Sequence, residues 1–223
     1  MKPDTQALEQ ILARLLDVYG PQHWWPADSP FEIAVGAVLV QRTAWRNAEL
    51  AVEALKAGDL LEPRRLARAD PGTVEALVRP AGFPAAKADY LRSLAKFVVD
   101  HGGIDELANL DTHALRSELL AVRGIGPETT DAILLYLFER PVWIADAYAV
   151  RILSRIGGSS FDAAQQMRIT KPWIEAARVS DLKELHSLLV ELGKQNCRTV
   201  PLCASCPLMA MCTYRKTRKD SDA

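Results

Sequence analysis

Four cysteines, the only ones in the 223-residue chain, lie in one short stretch near its C-terminal end. Their spacing is C-x5-C-x2-C-x5-C, and they are Cys197, Cys203, Cys206 and Cys212. A [4Fe-4S] cluster needs one thiolate for each iron, and four closely spaced cysteines supply them without long-range chain closure. Two disulfides or a zinc ion are the alternatives. Structural zinc sites usually pair two short C-x2-4-C units, so the single C-x2-C flanked by five-residue gaps favours the cluster.

A glycine-rich segment in the middle of the chain, VRGIGPETTDAI, is the second candidate for chemistry. It predicts a helix, a tight turn and a second helix, because Gly124 and Gly126 permit positive φ and Pro127 suits a first helical turn. The exposed amides around Ile125 and the N-terminus of the second helix are typical of a phosphate site. Such a contact positions DNA without reading its sequence, and the alternative is a plain helix connection.

Asp146 is the third candidate, because it follows the apolar segment PVWIA and begins the helical run AYAVRILSRIG. A carboxylate at the start of a helix caps its first turn. The same carboxylate could also stabilise the oxocarbenium-like sugar that forms when a glycosidic bond breaks.

The elements that must position these residues are helical almost throughout, and convincing alternating strand patterns are absent. Apolar residues at helical spacing from 8 to 16 predict a first helix that ends near Gly20. Ser29, Pro30 and Glu32 predict the cap and first turn of a buried helix at 31–40. Further helices are predicted at 44–57, 72–79, 84–101, 111–121, 127–138, 146–156, 161–177 and 180–195. The predicted fold class is all-α.

Composition places the chain among soluble globular proteins, with 49% apolar and 25% charged residues. The sequence has no run of eighteen apolar residues and no apolar signal segment at its start, so we expect a cytoplasmic protein without membrane contact. The net charge of -1 gives no bulk support for nucleic-acid binding, so any DNA footprint must be local. A basic run from Tyr214 to Lys219, beside the cysteines, is one candidate.

Together these residues resemble the helix-hairpin-helix DNA glycosylases of the endonuclease III superfamily. The segment VRGIGPETTDAILLYLFERPVWIADAYAVRIL resembles that family's hairpin and aspartate-bearing helix, and FEIAVGAVLVQRTAW resembles its early barrel helix. The cysteine loop resembles the family's iron–sulfur loop, although typical members have six residues between the first two cysteines where this chain has five.

The resemblance implies two helical domains that flank a DNA-binding cleft. One is a helical barrel at 31–140 that ends in the hairpin, and the other joins 1–30 to 141–223 and carries the [4Fe-4S] cluster. The expected partner is double-stranded DNA with a damaged base, bound by a monomeric, nucleoid-associated enzyme that flips the base and hydrolyses its N-glycosidic bond. The expected DNA contacts are Gln41, Arg42, Thr43, Gly124, Ile125, Gly126, Arg198 and Arg215.

The resemblance also assigns catalytic positions. Asp146 matches the family's catalytic aspartate, and Glu128 stands where the members that also nick the strand carry a lysine. A carboxylate cannot form the Schiff base that such a lysine forms, so we expect a monofunctional glycosylase with weak or absent lyase activity.

Substrate class follows from a narrower resemblance, to the branch of the superfamily that removes 3-methyladenine. Trp24, Trp25 and Trp45 match its aromatic base pocket, and a cationic alkylated purine is favoured by stacking on an indole face. The alternatives are an endonuclease III-type enzyme for oxidised pyrimidines, a non-catalytic DNA-binding iron–sulfur protein, and an electron-transfer protein. The tryptophans could also serve only in packing.

Overall fold

The computed structural model describes residues 4–215, and the regular elements in that range are all helical, which confirms the all-α class. The α-helices are α1 Thr5–Tyr19, α2 Pro30–Leu39, α3 Trp45–Ala57, α4 Pro63–Arg68, α5 Pro71–Val78, α6 Pro84–Asp100, α7 Ile104–Ala108, α8 Thr112–Ala121, α9 Pro127–Tyr136, α10 Ala147–Gly157, α11 Ala163–Ala176 and α12 Val179–Gln195. Short 3-10 turns lie at Arg79–Ala81, Cys203–Ser205 and Met209–Met211.

The predicted helices are confirmed, and two short ones were missed. Helices α4 and α7 have six and five residues, too few to show an apolar period. Local capping defines α4, because the Glu62 carboxylate accepts hydrogen bonds from the amides of Arg64 and Arg65. Such caps satisfy amides that have no partner inside the helix.

Helix α2 begins as its sequence predicts. The Ser29 hydroxyl accepts a hydrogen bond from the amide of Glu32 at 3.3 Å, and Pro30 occupies the first turn. Seven of its ten residues are buried. It therefore forms the centre of a core, with α3, α6 and α9 packed around it.

The chain divides into two compact units. The central unit is Trp25–Arg140 and contains α2 to α9. The terminal unit combines the segment up to Trp24 with the segment from Pro141 onward, and in it α1 packs on α11 and α12 while α10 packs on the same two helices.

A partly buried ion pair joins the two helices of the predicted hairpin, α8 and α9. Arg116 donates through Nε and Nη2 to both carboxylate oxygens of Asp131, at 2.8 and 3.2 Å. Asp131 is buried, so loss of its partner would leave a buried charge without compensation, which is strongly destabilising. No helix within residues 4–215 has the length and hydropathy needed to cross a membrane.

Candidate nucleic-acid interface and active site

The glycine-rich turn between α8 and α9 has the hairpin geometry that the sequence predicts. Gly124 has a φ of 83°, and a side chain there would also overlap the ring of Tyr90. Gly126 does not use the positive φ that glycine permits: its φ is -90°, and it is the N-cap of α9. Of the two glycines in the turn, Gly124 is therefore the one that requires glycine for both conformation and close approach.

The hairpin faces an open groove of about 720 Å³ in the central unit. Ile125 is buried and anchors the turn, whereas Gly126, Pro127 and Glu128 are exposed at the start of α9. The first amides of a helix lack intrahelical acceptors and carry the positive end of its dipole. The exposed side of this turn can therefore hold an anion such as a phosphate.

Gln41 is fastened to the hairpin. Its side-chain amide donates to the carbonyl of Gly124 at 3.0 Å and to the hydroxyl of Thr129 at 2.9 Å. The neighbouring Thr43 accepts a hydrogen bond from Asn47 at 3.0 Å. Both predicted DNA contacts thus have structural roles, and Gln41 brings the loop after α2 against the hairpin.

Phe83 lies beside this loop, in a segment (78–83) whose sequence is similar to the 3-methyladenine-removing branch, but it was not predicted as a DNA contact. It is 60% exposed, has a φ of 50°, and its ring centroid lies 5.3 Å from the guanidinium carbon of the exposed Arg42. The signal was its setting between Gly82 and Pro84, because an apolar residue between two turn-forming residues does not continue a buried helix face. Arg42 and Phe83 together form an exposed cation–aromatic pair on the central unit.

A buried lysine joins the two segments that precede Arg42 and Phe83. Lys87 is 2% exposed, and its Nζ donates to the carbonyls of Leu39 and Ala81 at 2.7 Å each. These carbonyls lie at the end of α2 and in the turn before Phe83, so Lys87 joins the two segments. Burial lowers the pKa of Lys87 to about 8.

An aromatic group of three rings lies elsewhere in the central unit. Trp25 meets Trp45 edge to face at 5.2 Å and Tyr136 at 5.3 Å between ring centroids. Gly36 allows this packing, because a Cβ there would lie 2.9 Å from Trp25 Nε1. Trp25 and Trp45 line a cavity of about 240 Å³, whose other walls include the acidic side chains Asp28, Glu32, Glu49 and Glu53.

Asp146 caps α10 in the terminal unit, which confirms one of its two predicted roles. Its Oδ1 accepts a hydrogen bond from the amide of Ala149 at 2.7 Å, and the residue is 7% exposed. Its other oxygen, Oδ2, lies 3.7 Å from Nε2 of His186 on α12. Trp24 belongs to this unit and packs edge to face on His186, with ring centroids 6.0 Å apart. Among the three predicted pocket tryptophans, Trp24 thus packs on His186 in the terminal unit, and Trp25 and Trp45 pack on each other in the central unit.

The four cysteines surround one small cavity of about 20 Å³ after α12. None is in a disulfide, and all are partly buried. Burial is the main cause that raises the pKa of Cys206 to about 11, with a further contribution from the other three thiols. Burial also raises the pKa of Cys212.

The donor atoms around this cavity are thiols, the ligand type that iron–sulfur clusters use. Across residues 4–215, no group of three or more histidine, cysteine or acidic side chains is arranged to hold one metal ion. A cubane cluster instead places each thiolate on a separate iron, so its ligands surround a void. Four thiols and no carboxylate or histidine line the void here.

Two arginines of α10 hold the first cysteine of the loop. Arg155 donates to the sulfur of Cys197 at 3.2 Å and to the carbonyl of Arg198 at 2.6 Å, and Arg151 donates to the carbonyl of Cys197 at 2.7 Å. Arg198 is exposed, and Arg215 lines the cysteine cavity. The rest of the predicted basic run, from residue 216, lies outside the described residues.

Residues 35–175 match the family described as HhH-GPD superfamily base excision DNA repair protein. The chain belongs to this superfamily. The matched region contains Gln41, the hairpin and Asp146, and it ends before the cysteine loop.

Individual relatives agree with this assignment. The chain is 41% identical over 213 residues to "Putative DNA repair glycosylase MJ1434" of Methanocaldococcus jannaschii, which covers 93% of this chain and 96% of that protein. It is 30% identical over 189 residues to endonuclease III of Sulfolobus acidocaldarius, covering 82% of each. Among solved structures, it is similar to the H. pylori 3-methyladenine DNA glycosylase MagIII bound to 1,N6-ethenoadenine, with 26% identity, a TM-score of 0.74, and coverage of 86% and 98%.

Proposed function

We propose that the protein is a DNA glycosylase that extrudes a damaged base from duplex DNA and hydrolyses its N-glycosidic bond. Asp146 carries this proposal. Within the region that matches a base excision repair family, it is a buried carboxylate held by one oxygen at the start of a helix. A helix cap needs only that one oxygen, and the second, Oδ2, which lies 3.7 Å from Nε2 of His186, is the oxygen proposed to act on charge that develops at the sugar.

The chemistry proposed for Asp146 is electrostatic. When the bond from C1′ to the base nitrogen breaks, positive charge develops on the sugar as in O-glycoside cleavage, and a fixed carboxylate stabilises it. Water is the nucleophile. Asp146 orients this water or accepts its proton, and the base departs with the electrons of the broken bond.

Glu128 supports a monofunctional reaction, without strand cleavage. It is exposed at the start of α9, where the enzymes that also nick the strand carry a lysine, and a carboxylate cannot form an imine with the sugar. Lys87 does not replace that lysine, because its amine is buried and donates to two backbone carbonyls.

DNA binding is assigned to the hairpin and to the surface beside it. The exposed amides at Gly126 and the start of α9 would hold a phosphate, and Arg42 would add a cation. Phe83 is a candidate for insertion between bases where the nucleotide is extruded, because an exposed apolar side chain can take the place of a lost stacking partner. Arg198 and Arg215 are proposed as further phosphate contacts.

Alkylated purines are the proposed substrates. Two tryptophans and four carboxylates line the cavity beside α3, together with Lys56, which pairs with Asp28; the indole faces and the excess of carboxylates favour a cationic, electron-poor ring. The likeness to a 3-methyladenine DNA glycosylase supports the same class. Trp24, Trp25 and Trp45 are proposed to contribute to the recognition of the base, directly or through their neighbours.

Oxidised pyrimidines are the second candidate. The observation that favours them is the 30% identity to endonuclease III over 82% of each chain. On this alternative, weak lyase activity would accompany base release.

The proposed cofactor is a [4Fe-4S] cluster held by Cys197, Cys203, Cys206 and Cys212. Its ligation would supply folding free energy to the loop, because metal binding at a site absent from the unfolded chain is linked to folding. The residues around it then act through position: Arg155 and Arg151 join the loop to α10, the helix that begins at Asp146.

A panel of duplexes with single defined lesions tests the proposal. Base release from 3-methyladenine, 1,N6-ethenoadenine and thymine glycol is measured with and without hot alkali. We expect release of the alkylated purine, and strand breaks only after alkali.

Asp146→Asn is the matched variant, because it retains a cap acceptor and removes the charge. It should lower single-turnover release at least about 10²-fold while DNA affinity changes little. A wild-type rate of base release by this variant would show that Asp146 serves only as a helix cap. DNA binding without release by the wild-type protein on every lesion would favour a non-catalytic DNA-binding protein.

A further inference from the structure

The two oxygens of Asp146 have different surroundings. Oδ1 is fixed by the amide of Ala149, and Oδ2 faces Nε2 of His186 at 3.7 Å. Both side chains are buried, at 9% and 11% exposure for Asp146 and His186, so little water competes with their interaction. The two oxygens of the carboxylate therefore have contacts from two directions, one from its own helix and one from α12.

The imidazole of His186 is itself held in place. Trp24 packs edge to face against it at an interplanar angle of 72°, and Nζ of Lys194 lies 5.6 Å from the centroid of Trp24. His186 and Lys194 both belong to α12, so one helix carries the imidazole and the cation that covers the tryptophan. A ring packed in this way has few rotamers, and its Nε2 stays directed at the carboxylate.

From this arrangement, which rests on the proposed role of Asp146, we infer that His186 is a positioning residue for base hydrolysis. It holds Oδ2 in the orientation in which the carboxylate meets the developing charge, and Trp24 locks the imidazole. The capping bond restrains the carboxylate through Oδ1, and the contact with His186 adds a second restraint on Oδ2 from a different helix. A group displaced by about 1 Å can lose on the order of 10²-fold in rate, so restraint of this kind is sufficient to matter.

This role predicts a specific pattern of kinetics. His186→Phe keeps a ring against Trp24 but removes the nitrogen, and it should lower single-turnover base release by roughly tenfold or more while DNA affinity stays within about twofold. His186→Gln places an amide nitrogen near the position of Nε2 and should restore most of the rate. The matched control is His101→Gln in the central unit, where the ring contacts the carbonyl of Phe97, and it should behave as the wild type does.

A double-mutant cycle separates positioning from a general packing role. In the Asp146→Asn background, His186→Phe should cause no further loss of rate, because the group that it positions is gone. Equal loss in both backgrounds would show that His186 acts on stability or on another group, and the inference would be wrong. Wild-type rates for both histidine variants would refute it as well.

The same experiment distinguishes failure of the inference from failure of the proposed function. Asp146→Asn is measured first, and a wild-type rate of base release by that variant would refute the proposed role of the carboxylate. A much lower rate with Asp146→Asn, together with wild-type rates in both His186 variants, would refute only the inference about His186. If His186→Phe does not fold, Trp24→Phe tests the same restraint, because a smaller ring loosens the imidazole, and an unchanged rate in that variant and in His186→Gln counts against the role.

Discussion

Replacing Gly124 by alanine tests whether the hairpin depends on one backbone conformation and one close packing contact. The residue has a φ of 83°, where an L-residue costs roughly 1–2 kcal/mol. Its new Cβ would also overlap the ring of Tyr90, and overpacking of this kind costs roughly 1–3 kcal/mol. The two contributions together predict a loss of about 2–5 kcal/mol in the free energy of unfolding.

Gly126→Ala is the matched control, two residues further along. Gly126 has a φ of -90°, and a Cβ there would meet no atom within 4 Å. Gly126→Ala should lower the free energy of unfolding by less than about 1 kcal/mol, the cost of replacing glycine by alanine at an N-cap.

Thermal unfolding of the two alanine variants measures the difference. Gly124→Ala should melt roughly 5–15 °C below the wild type, and Gly126→Ala within a few degrees of it. The carbonyl of Gly124 also accepts a hydrogen bond from the side-chain amide of Gln41, so a distorted turn would loosen the hairpin from the loop after α2. Gly124→Ala should therefore bind duplex DNA about tenfold more weakly in fluorescence anisotropy at constant salt. Tyr90→Ala should recover part of the melting temperature in the Gly124→Ala background. Equal melting temperatures for the two glycine variants would refute the reasoning.

Four further predictions concern the cofactor, the reaction, the base pocket and the buried lysine. The purified protein should contain about four irons per chain and absorb visible light, and Cys206→Ser should lose both and melt at a lower temperature; stoichiometric zinc without colour would contradict this. Glu128→Lys should allow borohydride to trap an enzyme–DNA adduct that the wild type does not form, and gel analysis of labelled duplex measures it. Trp45→Ala should raise the activation free energy for release of 3-methyladenine by about 1–3 kcal/mol and that for a neutral lesion by less. The ratio of the two release rates measures this difference. Burial lowers the pKa of Lys87 from 10.5 to about 8, so between these pH values Lys87 is protonated in the unfolded chain and has lost its proton in the folded chain. Raising the pH removes the proton from the unfolded chain and destabilises it, so this lysine makes the free energy of unfolding rise from pH 8 to 10. Urea unfolding at the two pH values should show a smaller rise in Lys87→Met than in the wild type.

Local interactions explain why much of the helical structure could be predicted from the sequence. The cap at Ser29, the proline that opens α2 and the turn at Gly124 each involve residues within a few positions of one another. Side chains and amides so close along the chain meet whatever the rest of the protein does. Helices α4 and α7 were missed because five or six residues are too few for an apolar period to appear.

The candidate site was only partly predictable, because its side chains come from distant segments. Asp146 and the cysteines are identified by type and spacing, and both signals are local. The amide of Gln41 bonds to residues 83 and 88 positions away, and no pattern in the sequence indicates that it fastens the hairpin.

By itself, the sequence determined the all-helical class, most helix boundaries, the glycine turn, and the residue types available for chemistry. Tertiary structure alone decided which of these residues meet: His186 faces Asp146, Phe83 stands exposed beside Arg42, Trp24 packs on His186, and Trp25 packs on Trp45. The physical reason is that helix formation and capping depend on neighbours along the chain, whereas contacts between side chains of separate helices depend on how the apolar faces of those helices pack.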